Sequence, residues 1–215
     1  MAALQSGHRK GFRLSRVQWD MLDRQRHPTL VSESPDPVSE IDAADRRAIA
    51  RLCDGDTQAL DVLYHRHASL LVQLATRLLG SRQNGEDVVH DVFVAIVAAA
   101  GTLREGSDVG AWLRTLTINR CIDRNRAVAR REALAIRFVA PATAPEHERD
   151  VVAADRIERA IAELPVAVRT VFVLRAIEGH SHVEISRILG IRVGTSEVRY
   201  FRAIRALRTA LGDLR

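Results

Sequence analysis

Apolar residues in this chain recur every three or four positions, and glycines cut the recurrence into helix-length pieces. Leu60, Leu63, Tyr64, His67, Leu70, Leu71, Leu74 and Leu78 share one side of a helix with a period of about 3.6, and Gly80 ends the run. Val88, Val89, Val92, Phe93, Ile96 and Val97 make a second stripe, for which Asn84 and Asp87 offer a capping pair. No segment keeps the strict alternation that a half-buried strand needs, so the expected fold class is all-α. Aromatic residues make up only 4% of the chain, which leaves Ala, Leu, Val and Ile to build the core.

The helices fall into two groups. In the first, Ser39-x-x-Asp42 caps a helix expected to reach about Cys53, the two stripes follow, and Gly101 to Ser107 forms a turn-rich loop. Asp108 then opens a helix through Trp112, Leu116, Asn119 and Ile122 into Arg131. A second group of four helical segments starts near Ala153. Pro165 separates its first two segments, Ser181-x-x-Glu184 caps the third, Gly190 stops it, and the last runs from about Val193. Ile185, Leu189, Val193 and Val198 are expected to form a small core there, with Val198, Phe201, Ile204, Leu207 and Leu211 on one face of the last helix.

Between the groups, residues 132–163 carry seven acids against four bases around Pro141 and Pro145, which marks residues 132–152 as a flexible linker. Residues 1–30 hold six basic side chains and two acids, whereas residues 31–45 hold five acids and no base, with Pro35 and Pro37 among serines. Such composition predicts a flexible N-terminal extension over residues 1–45. The expected organisation is therefore two small helical domains, residues 46–131 and 153–215, joined by the linker.

Several function classes are disfavoured. The longest uncharged apolar stretch, Val92 to Leu103, falls well short of the roughly 18 residues that span a bilayer. Arg9, Lys10 and Arg13 have no apolar segment behind them, so no secretory leader is expected, and the chain is expected to be cytoplasmic. Cys53 and Cys121 have no partner spacing for a disulfide framework or a zinc site and suit small buried positions. His65-x-His67 and His180-x-His182-x-Glu184 lack a third ligand at a recognised spacing and are expected to be exposed polar positions. With no phosphate loop, no GxSxG and no cofactor motif, neither catalysis nor a cofactor or metal is expected.

The basic residues point elsewhere. Formal net charge is +5, and Lys10 is the only lysine, so the positive charge is almost all guanidinium, which matches phosphate and base edges. Residues 181–208 have the spacing of a helix-turn-helix, a capped helix, a Leu-Gly-Ile-x-Val-Gly-Thr turn and a longer second helix. That second helix carries Arg199, Arg202, Arg205 and Arg208, and its N-terminal residues would face base edges in the major groove. On the helix after Asp108, Arg114, Arg120, Arg124, Arg126, Arg130 and Arg131 stand against Asp123 alone, with Trp112 and Asn119 beside them. An aromatic, an amide and several arginines suit single-stranded or distorted DNA, although an isolated Trp is more often a core residue.

These motifs together resemble the extracytoplasmic-function sigma factors of bacterial RNA polymerase. Glu86-Asp87-Val88-Val89-His90-Asp91-Val92-Phe93 is similar to the polymerase-binding helix of that family. Ala111-Trp112-Leu113, Asn119 and Asp123 are similar to its promoter-melting helix. Leu164-Pro165, Arg169, Val171-Phe172, Leu174-Arg175, Glu178-Gly179 and Ser181 resemble the entry to its fourth region. Glu184-Ile185, Leu189-Gly190-Ile191, Val193-Gly194-Thr195, Arg199 and Arg202-Ala203 resemble its helix-turn-helix.

The resemblance implies that Glu86, Asp87, His90, Asp91 and Phe93 bind core RNA polymerase, on the coiled coil of its largest subunit, with a second contact at the flap. It implies that Trp112, Arg114, Asn119, Arg120, Asp123, Arg124 and Arg126 meet the −10 element, where a base is flipped from the stack. Arg192, Thr195, Ser196, Glu197, Arg199, Phe201, Arg202 and Arg205 would read the −35 element. Promoter DNA and an anti-sigma protein are the other implied partners. The chain departs from the family pattern at Glu197 (usually basic), Ser196 (usually apolar) and His90 (usually Gln). Contact with DNA, binding of an inhibitor and a misassigned start all stay open for residues 1–30. A two-domain helix-turn-helix regulator that does not join polymerase is the alternative, and it leaves residues 86–123 unexplained.

Overall fold

A computed structural model describes residues 37–103, 106–135 and 153–211, and every element among them is helical. The first group comprises α1 (Pro37–Cys53), α2 (Ala59–Leu79), α3 (Arg82–Ala99) with a short 3-10 turn at Ala100–Thr102, and α4 (Val109–Ala135). In the second group are α5 (Ala153–Glu163), α6 (Val166–Phe172) running into a π-turn at Val173–Ile177, α7 (His182–Leu189) and α8 (Val193–Leu211). The two-domain, all-α expectation holds.

The boundaries follow from local chemistry. Gly80 ends α2 at φ 72°, a left-handed conformation that glycine adopts without steric cost, and its N–H donates to the Thr76 carbonyl. At the start of α3 the cap is Ser81, whose hydroxyl accepts from the Asn84 N–H, rather than the expected Asn84–Asp87 pair. Asp108 caps α4 by accepting from the Ala111 N–H at 2.9 Å. Ser181 and Glu184 close the capping box of α7 as expected, and Gly190 ends that helix at φ 65°. Because α1 begins at Pro37, Ser39 lies inside the helix instead of capping it, and residues 37–45 of the expected flexible extension are helical. Residues 1–36 of that extension and 136–152 of the expected linker lie outside the described residues.

α2 is the hub of the first domain, packed against α1, α3 and α4. Leu63, Leu71, Leu78, Val88, Val89, Ile96 and Leu113 are fully buried at these contacts. At about 0.8 kcal/mol per buried CH₂, this aliphatic interior accounts for most of the stabilisation. Gly85 permits the close approach of α2 and α3: a Cβ there would lie 2.9 Å from the Thr76 backbone nitrogen. In the second domain α8 packs on α5, α6 and α7 around Val171, Leu174, Ile185 and Ala203. The domains touch where α2 meets α5 and α6, and Arg77 makes a bidentate contact with Glu158 at 2.6–3.1 Å.

Four details differ from the sequence expectation. Tyr64, Leu70 and Val97 are exposed although they belong to the apolar stripes. Val193 and Val198 do not enter the small core, and α8 turns Ser196, Ala203 and Leu207 inward while Val198 and Phe201 face out. Cys121 is buried, and burial pushes its thiol up to about 12, but Cys53 is exposed. His67 and His182 are not free polar positions: His67 Nε2 lies 2.7 Å from the buried Asp45 carboxylate, and His182 Nδ1 lies 2.9 Å from the Ser196 hydroxyl.

Candidate nucleic-acid interface

α7 and α8 are positioned by a short list of contacts. Ile185 is buried between them, and the Ile191 N–H donates to the Ser186 carbonyl across the Gly190 turn. His182 bonds Ser196 and packs edge-on to Tyr200, which in turn stacks on Phe172 of α6 at 6.3 Å. These contacts lock one side of α8 inward, so the other side is presented to solvent. On the presented side Arg192, Val198, Phe201, Arg202 and Arg205 are exposed, and Arg199 is half-buried. A shallow groove of about 570 Å³ runs along the start of α8, between Arg192, Gly194, Thr195, Val198, Arg199 and Arg202. Exposed guanidiniums beside apolar groups give both halves of a base-edge reader: donors for guanine and methyl contacts for thymine. Glu197 is exposed on the same helix and adds an acceptor suited to a cytosine amino group. Ser196 does not join that surface, because it is fully buried and bonded to His182.

α3 and α4 build the second surface. Glu86, Asp87, His90 and Asp91 are all exposed on α3, along one wall of a groove of about 950 Å³ whose other wall is α2. Phe93 is not on that surface; it is 3% exposed and meets Tyr64 edge-on at 5.0 Å, so it supports the helix from beneath. Trp112 is likewise 3% exposed, which makes it a core residue in this structure instead of a stacking platform. Its indole N–H is buried with no hydrogen-bond partner among the described residues. Arg114, Asp123 and Arg126 are exposed on α4, whereas Asn119, Arg120 and Arg124 are half-buried.

Three arginines of α4 are paired. Arg120 donates to Asp91 at 3.0 Å, and Arg124 donates to Asn84 at 2.6 Å and to Asp87 at 3.3 Å. Arg126 lies 3.6 Å from Asp123 and donates to the Leu189 carbonyl at the end of α7. No group of three or more metal-ligating side chains occurs among the described residues.

Both surfaces lie in segments that match known families. The Sigma-70 region 2 family matches residues 63–131, and the Sigma-70 region 4 family matches residues 154–207. An ECF RNA polymerase sigma factor, SigW of Bacillus subtilis strain 168, is 30% identical over 79% of this chain and 97% of its own. The chain belongs to the ECF RNA polymerase sigma factors. SigM of Mycobacterium tuberculosis strain Erdman is 30% identical over 74% of this chain and 81% of its own. A structure of CnrH in complex with the cytosolic domain of CnrY is 29% identical, covers 79% of this chain and 98% of that chain, and has a TM-score of 0.46.

As a sigma factor, the protein is a transcription-initiation factor, and its region 2 and region 4 matches fall on the two basic helices. No helix among the described residues is long and apolar enough to cross a membrane. Two residues that position the site were not found by sequence reasoning. Gly85 sets how closely α3, the helix of the acidic surface, approaches α2, and Asp45 holds Arg66 and His67 from a buried place on α1. A glycine within the first turn of a helix was the available signal for Gly85. Asp45 had none, because burial of one acid on an amphipathic helix leaves no mark in the sequence.

Proposed function

We propose that this sigma factor binds core RNA polymerase and directs it to promoters by reading a −10 and a −35 element. In this reading residues 46–131 hold the polymerase contact and the −10 contact, residues 153–215 hold the −35 contact, and residues 132–152 join them. Glu86, Asp87, His90 and Asp91 bind the largest-subunit coiled coil. Arg114, Asn119, Arg120, Arg124 and Arg126 meet the −10 strand, and the loop before α4 receives the flipped base, whose extrusion costs a few kcal/mol. Arg192, Thr195, Arg199, Phe201, Arg202 and Arg205 read the −35 duplex, with Glu197 setting a preference at one position. The protein performs no covalent chemistry; polymerase makes the RNA. An anti-sigma protein that covers the polymerase-binding surfaces restrains it.

The observation that carries the proposal is the placement of two arginine-rich helices, α4 and α8, on separate domains, with an acidic surface beside only the first. Two separated DNA contacts and a polymerase-binding surface are what a promoter-specificity factor needs. Run-off transcription of genomic fragments by core polymerase, with and without the protein, tests it. Start sites that depend on the protein and share two spaced upstream elements are expected. Retained DNA binding without new starts, and no comigration with core polymerase, would instead establish the stand-alone regulator.

A further inference from the structure

Gly85 is required by Thr76 across α2, and Gly80 and Gly190 by their left-handed backbone, but Gly194 answers to neither reason. It lies in the first turn of α8, its φ is not positive, and a Cβ there meets nothing within 4 Å. Glycine is a poor helix former, so a bare position here weakens the helix and gives the fold nothing in return. One turn further on, Val198 is 52% exposed, an apolar side chain that the core also leaves unused. Residues four apart are neighbours on a helix surface, so the two form one niche on the groove at the start of α8. Neither side chain carries a polar atom. Arg192, Arg199 and Arg202 line the same groove, which places the niche where a polyanion is drawn and held.

We propose that Gly194 and Val198 form the seat of the C5-methyl group of one thymine in the −35 duplex. Thymine is the base whose major-groove edge carries a methyl group, whereas cytosine and adenine present amino donors and guanine presents two acceptors. A niche with no side-chain donor or acceptor leaves those polar edges unpaired and accepts the methyl. Gly194 lets the base edge come close, and Val198 covers the methyl from water. The inference rests on the proposed function, which assigns α8 to the −35 element, and adds two residues outside that assignment together with the base they select.

The test uses the full chain bound to core polymerase, and duplex fragments whose −35 sequence this complex selects from randomised DNA. Each thymine is replaced in turn by deoxyuridine, which removes the methyl group and nothing else. In the parent, replacement at one position is expected to weaken binding about two- to fourfold. With Val198→Ala that difference should shrink to within error. Gly194→Ala fills the niche, so binding to the thymine duplex should fall about tenfold, the effect of one wrong base pair. Deoxyuridine at that position should recover most of the loss, because the space of the missing methyl accepts the new Cβ. The free Gly194→Ala chain should meanwhile be at least as stable as its parent in urea, which separates the loss from folding. A selected sequence without thymine, a deoxyuridine effect equal in parent and Val198→Ala, or a Gly194→Ala loss equal on thymine and deoxyuridine duplexes would overturn the inference. Arg199→Ala and Arg202→Ala are measured on the same fragments. If both bind as the parent does, the assignment of α8 to the −35 element fails first; if they weaken binding while Gly194→Ala and Val198→Ala do not, only the niche fails.

Discussion

Gly85→Ala sets two known effects against each other, and the distances across α2 and α3 decide the sign. Inside a helix, alanine is favoured over glycine by about 1 kcal/mol, because glycine loses more backbone freedom on folding. Against this, the new Cβ would lie 2.7 Å from Thr76 Oγ1, 2.9 Å from Thr76 N and 3.2 Å from Thr76 Cα. Two of those atoms belong to the backbone of a helix and cannot rotate away. Relief therefore requires α2 and α3 to separate locally by roughly 0.5 Å, which forfeits about a quarter of the dispersion well for each contact it opens. Overpacking of this kind costs about 1–3 kcal/mol, and a backbone obstacle puts the cost near the top of that range. The net expectation is a loss of about 2 kcal/mol, three minus one. Urea unfolding followed by circular dichroism measures it, with Gly194→Ala as the reference because a Cβ there meets nothing within 4 Å. The same chemical change should stabilise at position 194 by up to about 1 kcal/mol and destabilise at position 85. A Gly85→Ala chain as stable as its parent would refute the reasoning.

Other outcomes follow from single contacts. Trp112→Ala should cost about 3–5 kcal/mol in thermal or urea unfolding, as a buried indole lost from the core, and an unchanged stability would return Trp112 to the DNA surface. Glu184 is held below the ordinary glutamate range by the Ser181 N–H and hydroxyl, so its stabilising effect is present above that range and is lost as pH falls through the lowered value. The stability gap between parent and Glu184→Gln should therefore be widest near neutral pH and close in acid, as followed by unfolding at a series of pH values. In the polymerase complex, Arg202→Ala should weaken −35 binding by about 1–3 kcal/mol, measured by competition with promoter fragments. Glu197→Lys should change the preferred base at one −35 position in a selection from randomised DNA, and an unchanged preference would remove Glu197 from the reading surface.

Much of the site could be read from the chain because its signals are local. The Ser181–Glu184 capping box, the Gly190 stop and the arginines spaced along α8 depend on neighbours a few residues away, and all are where the sequence puts them. Inward and outward choice was less legible. Val198 and Phe201 match the apolar stripe of α8 as well as Ala203 does, yet they face solvent, because the His182–Ser196 bond and the Tyr200–Phe172 stack rotate the helix the other way. In the proposed −35 reading these apolar groups serve thymine methyls, which is why they break the rule that apolar residues face inward.

By itself the sequence determined the helical class, the two groups of helices, the basic character of α4 and α8 and the acidic residues Glu86, Asp87 and Asp91 on α3. Helix period, capping and charge are properties of near neighbours along the chain, so no tertiary contact is needed to see them. Only the folded structure decided that Phe93, Trp112 and Ser196 are interior, that Asp45 is buried on His67 and Arg66, and that Asp87 and Asp91 face Arg124 and Arg120. Those facts depend on which helix faces meet, and that is set by close packing between residues 20 to 40 positions apart, such as Asp45 against His67 and Asp91 against Arg120 within one bundle.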